Sequence, residues 1–131
     1  MPPIAIKRIY EPPSPADGRR VLVDRLWPRG VSKAKAKLDA WMKDAAPSPE
    51  LRRWFDHRAE RWPEFRRRYI DELKSNPAIE TLREMASAGP VTLLYAARDT
   101  AHNEAVVLAE RLSQDLPTAE IVAAPERDAP T

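Results

Sequence analysis

One run of residues decides the fold: Val91-Thr92-Leu93-Leu94-Tyr95-Ala96-Ala97, which is apolar at nearly every position. A strand with one face in water alternates apolar and polar residues, whereas a strand covered on both faces has no reason to alternate. We therefore predict that residues 91–97 form a central parallel strand that is covered by helices on both faces.

Shorter apolar segments on either side of this run predict the other strands. Residues 4–10 and 21–26 are two such segments, and a loop with three prolines and an Asp17-Gly18 turn separates them. Residues 119–123 predict a short last strand near the end of the chain.

Helix-start signals occur at several points between and after these strands. Ser48 is a suitable N-cap and Pro49 suits the first helical position, while Trp62-Pro63 and Asn76-Pro77 predict two further starts. A last helix is predicted from about His102 to Leu116. Helical periodicity also appears in a shorter segment, at Leu38, Trp41 and Met42.

This order of elements predicts the class and the domain organisation. Strands that alternate with helices are typical of an α/β fold, here a small single domain whose mostly parallel sheet is flanked by helices. With 131 residues the chain is most simply one domain. We assign residues 1–124 to that domain and residues 125–131 to a flexible carboxyl-terminal tail.

Composition excludes several classes of protein. Hydrophobic residues make up 43% of the chain and charged residues 32%, as in ordinary soluble globular proteins. The sequence has no cysteine, which excludes disulfides and thiolate chemistry. It also has no apolar run of transmembrane length and no signal-peptide pattern, so we expect a cytoplasmic protein without a membrane partner.

Positive charge is concentrated in one stretch, residues 19–37, which we call the basic segment. It carries seven basic residues and one acidic residue, although the whole chain has a formal net charge of only +2. Arg25 and Arg29 follow the second predicted strand, and ligands of α/β proteins bind at the carboxyl ends of strands. Arginine binds phosphate or carboxylate in bidentate fashion, and Trp27 between them offers a stacking surface.

A small anionic ligand is therefore one predicted partner, held by Arg25, Arg29 and Arg8 beside Trp27. The alternative is a structural role, in which Trp27 covers the core and the arginines pair with nearby acidic residues.

The loop after the central strand is the second candidate site. Arg98, Asp99, His102 and Asn103 lie between the end of that strand and the start of the next helix, where free backbone N–H groups collect. Asp99 or His102 can serve as a general base, whereas Arg98, Asn103 and the preceding Tyr95 would line the site. The simpler alternatives are that Asp99 caps the helix and that His102 is a solvated surface residue.

Neither a metal nor a nucleotide cofactor is expected from the sequence. The two histidines, His57 and His102, have no metal-binding spacing. The sequence contains neither a G-x-x-x-x-G-K-[ST] loop nor a G-x-G-x-x-G loop, and it has only three glycines.

Several strings resemble one known family. They are Val23-Asp24-Arg25-Leu26-Trp27-Pro28-Arg29-Gly30, Ala46-Pro47-Ser48 with the following Leu51-Arg52 and Trp54-Phe55, and Leu93-Leu94-Tyr95-Ala96-Ala97-Arg98-Asp99 with Asn103. They are similar to the YeaO-like branch of domain-of-unknown-function family 488.

That resemblance implies a compact bacterial cytoplasmic α/β domain. Longer relatives in the family carry a Cys-His-Arg string near the start of the last helix. His102-Asn103-Glu104 stands at the corresponding place in this chain, without the thiol.

Three functions remain open from the sequence. The first is a pocket that binds, or acts on, a small anionic ligand that is phosphorylated or nucleotide-like; as an enzyme it would perform hydrolysis or group transfer. The second is a nucleic-acid-binding module that uses the basic segment. The third is an interaction domain without chemistry. The oligomeric state does not follow from the sequence.

Overall fold

The computed structural model describes residues 4–115 and 121–122, and the side chains of residues 4–113. Five parallel strands form one sheet in the order β3-β2-β4-β1-β5. The strands are β1 Ile4–Arg8, β2 Arg19–Leu22, β3 Ala40–Trp41, β4 Val91–Tyr95 and β5 Ile121–Val122. The prediction of an α/β fold with a parallel sheet is confirmed.

Helices connect the strands. They are α1 Lys33–Ala36, α2 Pro49–Phe55, α3 Trp62–Leu73, α4 Ala78–Ala88 and α5 Glu104–Asp115. Short 3₁₀ turns occur at Pro15–Asp17, Lys43–Ala45 and Ala59–Arg61. Within the described residues, no helix is long and apolar enough to cross a membrane.

The central strand β4 is buried along its whole length, as its apolar sequence predicts. Its side chains divide between two hydrophobic clusters because successive residues of a strand point to opposite faces. Leu93 and Tyr95 join the larger cluster with residues from α2 to α5, whereas Leu94 joins a smaller one that includes Leu22 and Ala36. Both faces of the sheet are therefore covered.

The predicted helix start at Ser48-Pro49 is present with the expected chemistry. The Ser48 hydroxyl accepts a hydrogen bond from the backbone N–H of Leu51 at 3.2 Å, and Pro49 is the first residue of α2. Glu72 fixes this cap by accepting from both the hydroxyl and the backbone N–H of Ser48. In α3, Phe65 and Tyr69 lie on the buried stripe.

The structure corrects the helical reading of Leu38, Trp41 and Met42. Residues 40–41 form the edge strand β3, which pairs with β2. Trp41 packs in the smaller cluster and Met42 in the larger one, so these neighbours point to opposite faces. A period of two and a period of 3.6 cannot be distinguished over so few residues.

The second strand ends earlier than predicted, at Leu22 rather than Leu26. The backbone N–H of Val23 still donates to the Leu94 carbonyl at 3.1 Å. One residue later, the Asp24 carboxylate accepts from the N–H of Ala96 at 3.0 Å and takes the place of a backbone carbonyl. The chain therefore leaves the sheet at Asp24, beside the end of β4.

The last strand is predicted over residues 119–123, and only residues 121–122 of it are described. These two residues form β5 and pair with β1. The predicted tail, residues 125–131, also lies outside them, as does the predicted domain boundary at residue 124.

Candidate functional site

A cleft of about 650 Å³ opens at the carboxyl ends of β2 and β4. Its walls come from residues 24–28 after β2, residues 96–99 after β4, and residues 102–104 at the start of α5. Ala46, Pro47, Arg52, Phe55, His57 and Phe65 complete the lining. We call this cavity the strand-end cleft.

The sheet topology explains why a cleft forms there. After β2 the chain enters the layer with Ala36 of α1, whereas after β4 it enters the opposite layer with α5. Two neighbouring strands whose connections leave toward opposite faces create a crevice, and α/β proteins bind ligands in such crevices.

The segment after β2 is held by backbone contacts. Asp24 bonds to the Ala96 N–H, and its own carbonyl accepts from the Trp41 indole at 2.8 Å. The Trp27 indole donates to the Val31 carbonyl at 2.7 Å, and its ring packs edge-on against Trp41 at 5.2 Å. Trp27 therefore lines the cleft in a fixed position.

Arg25 is half-buried in the wall of the cleft. One of its terminal nitrogens donates to the carbonyls of Ala46 and Pro47, at 3.4 and 3.2 Å. Its Nε is buried and has no hydrogen-bond partner among the described residues. The ion pair with Asp24 or Asp44 that a structural role would require is not formed between the described side chains.

Asp99 and His102 form a hydrogen-bonded pair on the opposite wall. The Asp99 carboxylate accepts from the backbone N–H groups of Ala101 and His102 and lies 2.8 Å from Nδ1 of His102. Partial burial raises the pKa of Asp99, but these hydrogen bonds outweigh it, and the pKa lies below its ordinary value of 3.8. An ionised Asp99 accepts a hydrogen bond from the protonated Nδ1 of His102. Nε2 of His102 then remains available for other contacts.

Asn103, rather than Asp99, provides the side-chain hydrogen bond that caps the first turn of α5. Its side-chain oxygen accepts from the N–H of Val106 at 3.2 Å, and its amide donates to the Asp99 carbonyl at 2.9 Å. Only 2% of Asn103 is exposed, so this residue connects the loop to the helix.

The structure brings together six of the nine predicted site residues: Arg25, Trp27, Arg98, Asp99, His102 and Asn103. The other three do not line the strand-end cleft. Arg8 donates to the carbonyls of Ala96 and Ala97, Tyr95 is buried in the core, and Arg29 is exposed farther along the loop that carries Arg25.

Glu104 lines the cleft together with Arg52, and the sequence indicated neither residue as part of the site. Burial raises the pKa of Glu104 well above the ordinary value of 4.5, and so do its hydrogen bond to Asp24 and the charge of Asp24. The nearby Arg52 opposes this shift only in part. An acidic residue in a first helical turn also complements the helix dipole, so the sequence alone does not distinguish this Glu from an ordinary one.

His57 was also missed as a lining residue. It lies in the left-handed region with φ 54°, directly after Asp56 with φ 49°. Non-glycine residues seldom adopt this conformation, and here it turns the chain after α2 so that His57 reaches the cleft. Among the described residues, no group of three or more potential ligands of the His, Cys, Asp and Glu types is arranged to hold a metal ion.

The basic segment does not form one surface. Arg20 is buried, where it bonds to Asp17 at 2.6 Å and to the Ala36 carbonyl. Arg25 faces the strand-end cleft. The remaining basic residues are exposed: Arg19, Arg29, Lys33, Lys35 and Lys37.

Fold and site together define a small parallel α/β domain with a ligand-sized cleft between two strand ends. The chain belongs to the DUF488 family: residues 3–131 match the model described as "Inactive DUF488-N3 subclade". This confirms the resemblance that the Val23–Gly30 string indicated.

Bacterial relatives agree with that assignment. The uncharacterized protein YeaO of Escherichia coli is 44% identical over 110 residues, which cover 83% of this chain and 96% of the relative. The uncharacterized protein Rv3073c of Mycobacterium tuberculosis is 44% identical over 110 residues, which cover 84% of this chain and 93% of the relative. No solved structure matches the chain significantly.

Proposed function

We propose that this protein binds a small anionic ligand, phosphorylated or nucleotide-like, in the strand-end cleft. One observation carries the proposal. Three arginines line this cleft, Arg25, Arg52 and Arg98, and none of them forms an ion pair with any described side chain. By contrast, three arginines of α3 are all paired: Arg66 with Glu110, and Arg67 and Arg68 with Glu64.

No carboxylate in the cleft forms an ion pair with these arginines among the described side chains, although the charge of Arg52 acts on Glu104. Asp24 bonds to the backbone of Ala96, and Asp99 bonds to the backbone N–H groups of Ala101 and His102. An anionic group between the guanidinium groups would receive charge-assisted hydrogen bonds, which are stronger than neutral ones. The buried Nε of Arg25 would gain the partner that it lacks.

Binding without turnover is the form of the proposal that we favour. The matching family model is described as inactive, and the chain lacks cysteine. The oriented His102 supports a second candidate, hydrolysis or transfer on the same anion with His102 or Asp99 as base. Release of phosphate from a bound phosphoester, lost in His102→Ala, would establish that second candidate.

Ligand-induced thermal stabilisation tests the proposal. Ribose 5-phosphate and nucleoside monophosphates, each at about 100 times its dissociation constant, should stabilise the protein by about 2.7 kcal/mol. Arg98→Ala and Arg25→Ala should abolish this shift. Arg53→Ala is the matched control, because Arg53 is exposed on α2 beside Arg52 and does not line the cleft. A panel without any stabilising phosphate, or a shift that survives in Arg98→Ala, would refute the proposal.

The exposed part of the basic segment supports nucleic-acid binding as a further alternative. Lys33, Lys35 and Lys37 lie in and after α1 and are all exposed. Binding through phosphates should weaken steeply with salt, and replacing these lysines with glutamine should reduce the slope by about one per lost contact. A ligand in the cleft should not respond to those three substitutions.

A further inference from the structure

The inner part of the strand-end cleft carries a pair of carboxyl groups that anion binding does not use. Asp24 follows β2, and Glu104 is the first residue of α5. Both line the cleft, and Asp24 lies near enough to Glu104 to raise the pKa of that residue. Both residues are half-buried, and two neighbouring like charges in such a site are unfavourable, so a proton on the pair is favoured.

Sharing one proton determines what the pair offers to a ligand. The proton is favoured on Glu104, because burial and Asp24 both raise the pKa of that residue. The O–H of Glu104 is then directed to Asp24, and the remaining oxygen of Glu104 is an acceptor. One oxygen of Asp24 also accepts from Ala96, which leaves lone pairs on the carboxylate. The pair therefore presents acceptors, whereas the arginines of the same cleft present donors.

The lining between these polar groups suits a flat ring. Phe55 and Phe65 are stacked at 4.3 Å between ring centroids, and both line the cleft together with Trp27. The volume of about 650 Å³ lies within the range of small-molecule sites. A planar base with a phosphate has the size and the two kinds of polar group that this lining complements.

We propose that the Asp24–Glu104 pair binds the two adjacent N–H donors on the Watson–Crick edge of guanine. The preferred ligand is then a guanine nucleoside phosphate. This inference rests on the proposed function, since the arginines would hold the phosphate. Guanine presents two neighbouring donors to a pair of acceptors, whereas adenine presents one donor beside an acceptor. The adenine acceptor would face a carboxyl oxygen without a hydrogen bond, which disfavours adenine.

Calorimetric titration of the full chain with GMP, AMP and ribose 5-phosphate tests this inference. GMP should bind roughly tenfold to a hundredfold more tightly than AMP, the discrimination that a bidentate contact to a base provides. Asp24→Asn should remove that preference, because an amide presents a donor where the carboxylate presented an acceptor, and it should not weaken the binding of ribose 5-phosphate, because it removes a negative charge from the cleft. Its side-chain oxygen can still accept from Ala96, so the loop keeps its hydrogen bond.

A second variant and a control keep the test decisive. If Asp24→Asn does not fold, Glu104→Ala removes the other half of the pair and should also abolish the preference for GMP. Glu84→Ala is the control, because Glu84 is exposed on α4 and does not line the cleft. Equal affinity for all three compounds would overturn this inference and leave the proposed function intact. Binding of none of them would overturn both.

Discussion

Acidic residues lie before and after β2, and their environments are opposite. Before the strand, Asp17 accepts from Lys7 at 3.1 Å, from Arg20 at 2.6 Å and from the backbone N–H of Ser14 at 3.0 Å. After the strand, Asp24 lies beside a second carboxyl group, Glu104, in an open cleft. Burial raises the pKa of Asp17, but its hydrogen bonds outweigh burial and lower it; burial and Asp24 raise that of Glu104.

This difference separates a structural site from the proposed binding site. At Asp17, each charge has a partner within the protein, and the loss of one partner would leave a buried charge uncompensated. In the strand-end cleft, three arginines lack ion-pair partners among the described residues, and two carboxyl groups are placed together. Perturbed and incompletely compensated groups of this kind are typical of functional sites.

The largest expected effect is at Asp17. Asp17→Asn removes the carboxylate that neutralises Arg20, of which only 4% is exposed. A buried charge without its partner costs about 3–5 kcal/mol of the free energy of unfolding. Asp71→Asn is the control, because Asp71 pairs with Lys74 on the surface, and it should change stability by less than about 0.5 kcal/mol. Urea denaturation measures both; equal effects would contradict the structural role of Asp17.

Two glycines, one directly before β2 and one in the loop after it, provide a second and smaller contrast. Gly18 and Gly30 both have positive φ, 64° and 74°. A Cβ at Gly18 would lie 2.3 Å from the Pro90 carbonyl oxygen, whereas nothing lies within 4 Å of one at Gly30. We expect Gly18→Ala to cost about 2–4 kcal/mol, from backbone strain and crowding, and Gly30→Ala about 1–2 kcal/mol, from strain alone. Thermal unfolding of the two variants checks the order, and the reverse order would be inconsistent with close packing around Gly18.

The smallest effect is the opposite pH dependence of the two acidic groups. The pKa of Asp17 is lowered, so its contribution to stability is present above 3.8 and is lost as the pH falls through its folded pKa. The pKa of Glu104 is raised, so its contribution is present below 4.5 and is lost as the pH rises through its folded pKa.

Glu104→Gln should therefore flatten the fall in stability on the alkaline side and leave the acid side unchanged. The variant should lose less stability than the wild type as the pH rises, because glutamine has no proton to release. Urea denaturation from pH 4.5 to pH 8 measures it. A wild-type protein whose stability rises throughout this range, with no change in the variant, would argue against a neutral Glu104.

The prediction from sequence succeeded where the pattern was long or the capping signal was local. The apolar run at Val91–Tyr95 predicted the buried central strand, and the Ser48-Pro49 signal predicted the start of α2. It failed at Trp41, where two strand residues cannot establish a period. The two predicted loops do line one cleft, but Arg8, Arg29 and Tyr95 lie outside it, because adjacency in sequence does not fix the direction of a side chain.

The sequence by itself determined the class of fold, the family and the two loops that form the walls of the cleft. These follow from local features: hydrophobic periodicity, capping residues and a distinctive string of residues. Only the tertiary structure decided which charges are paired. Arg20 and Arg25 belong to the same basic segment, yet one is neutralised by Asp17 and the other faces the cleft. The physical reason is that the partners of a charge depend on which strand ends and helices lie together in space. Glu104 lies near Asp24 only because α5 begins beside the end of β2.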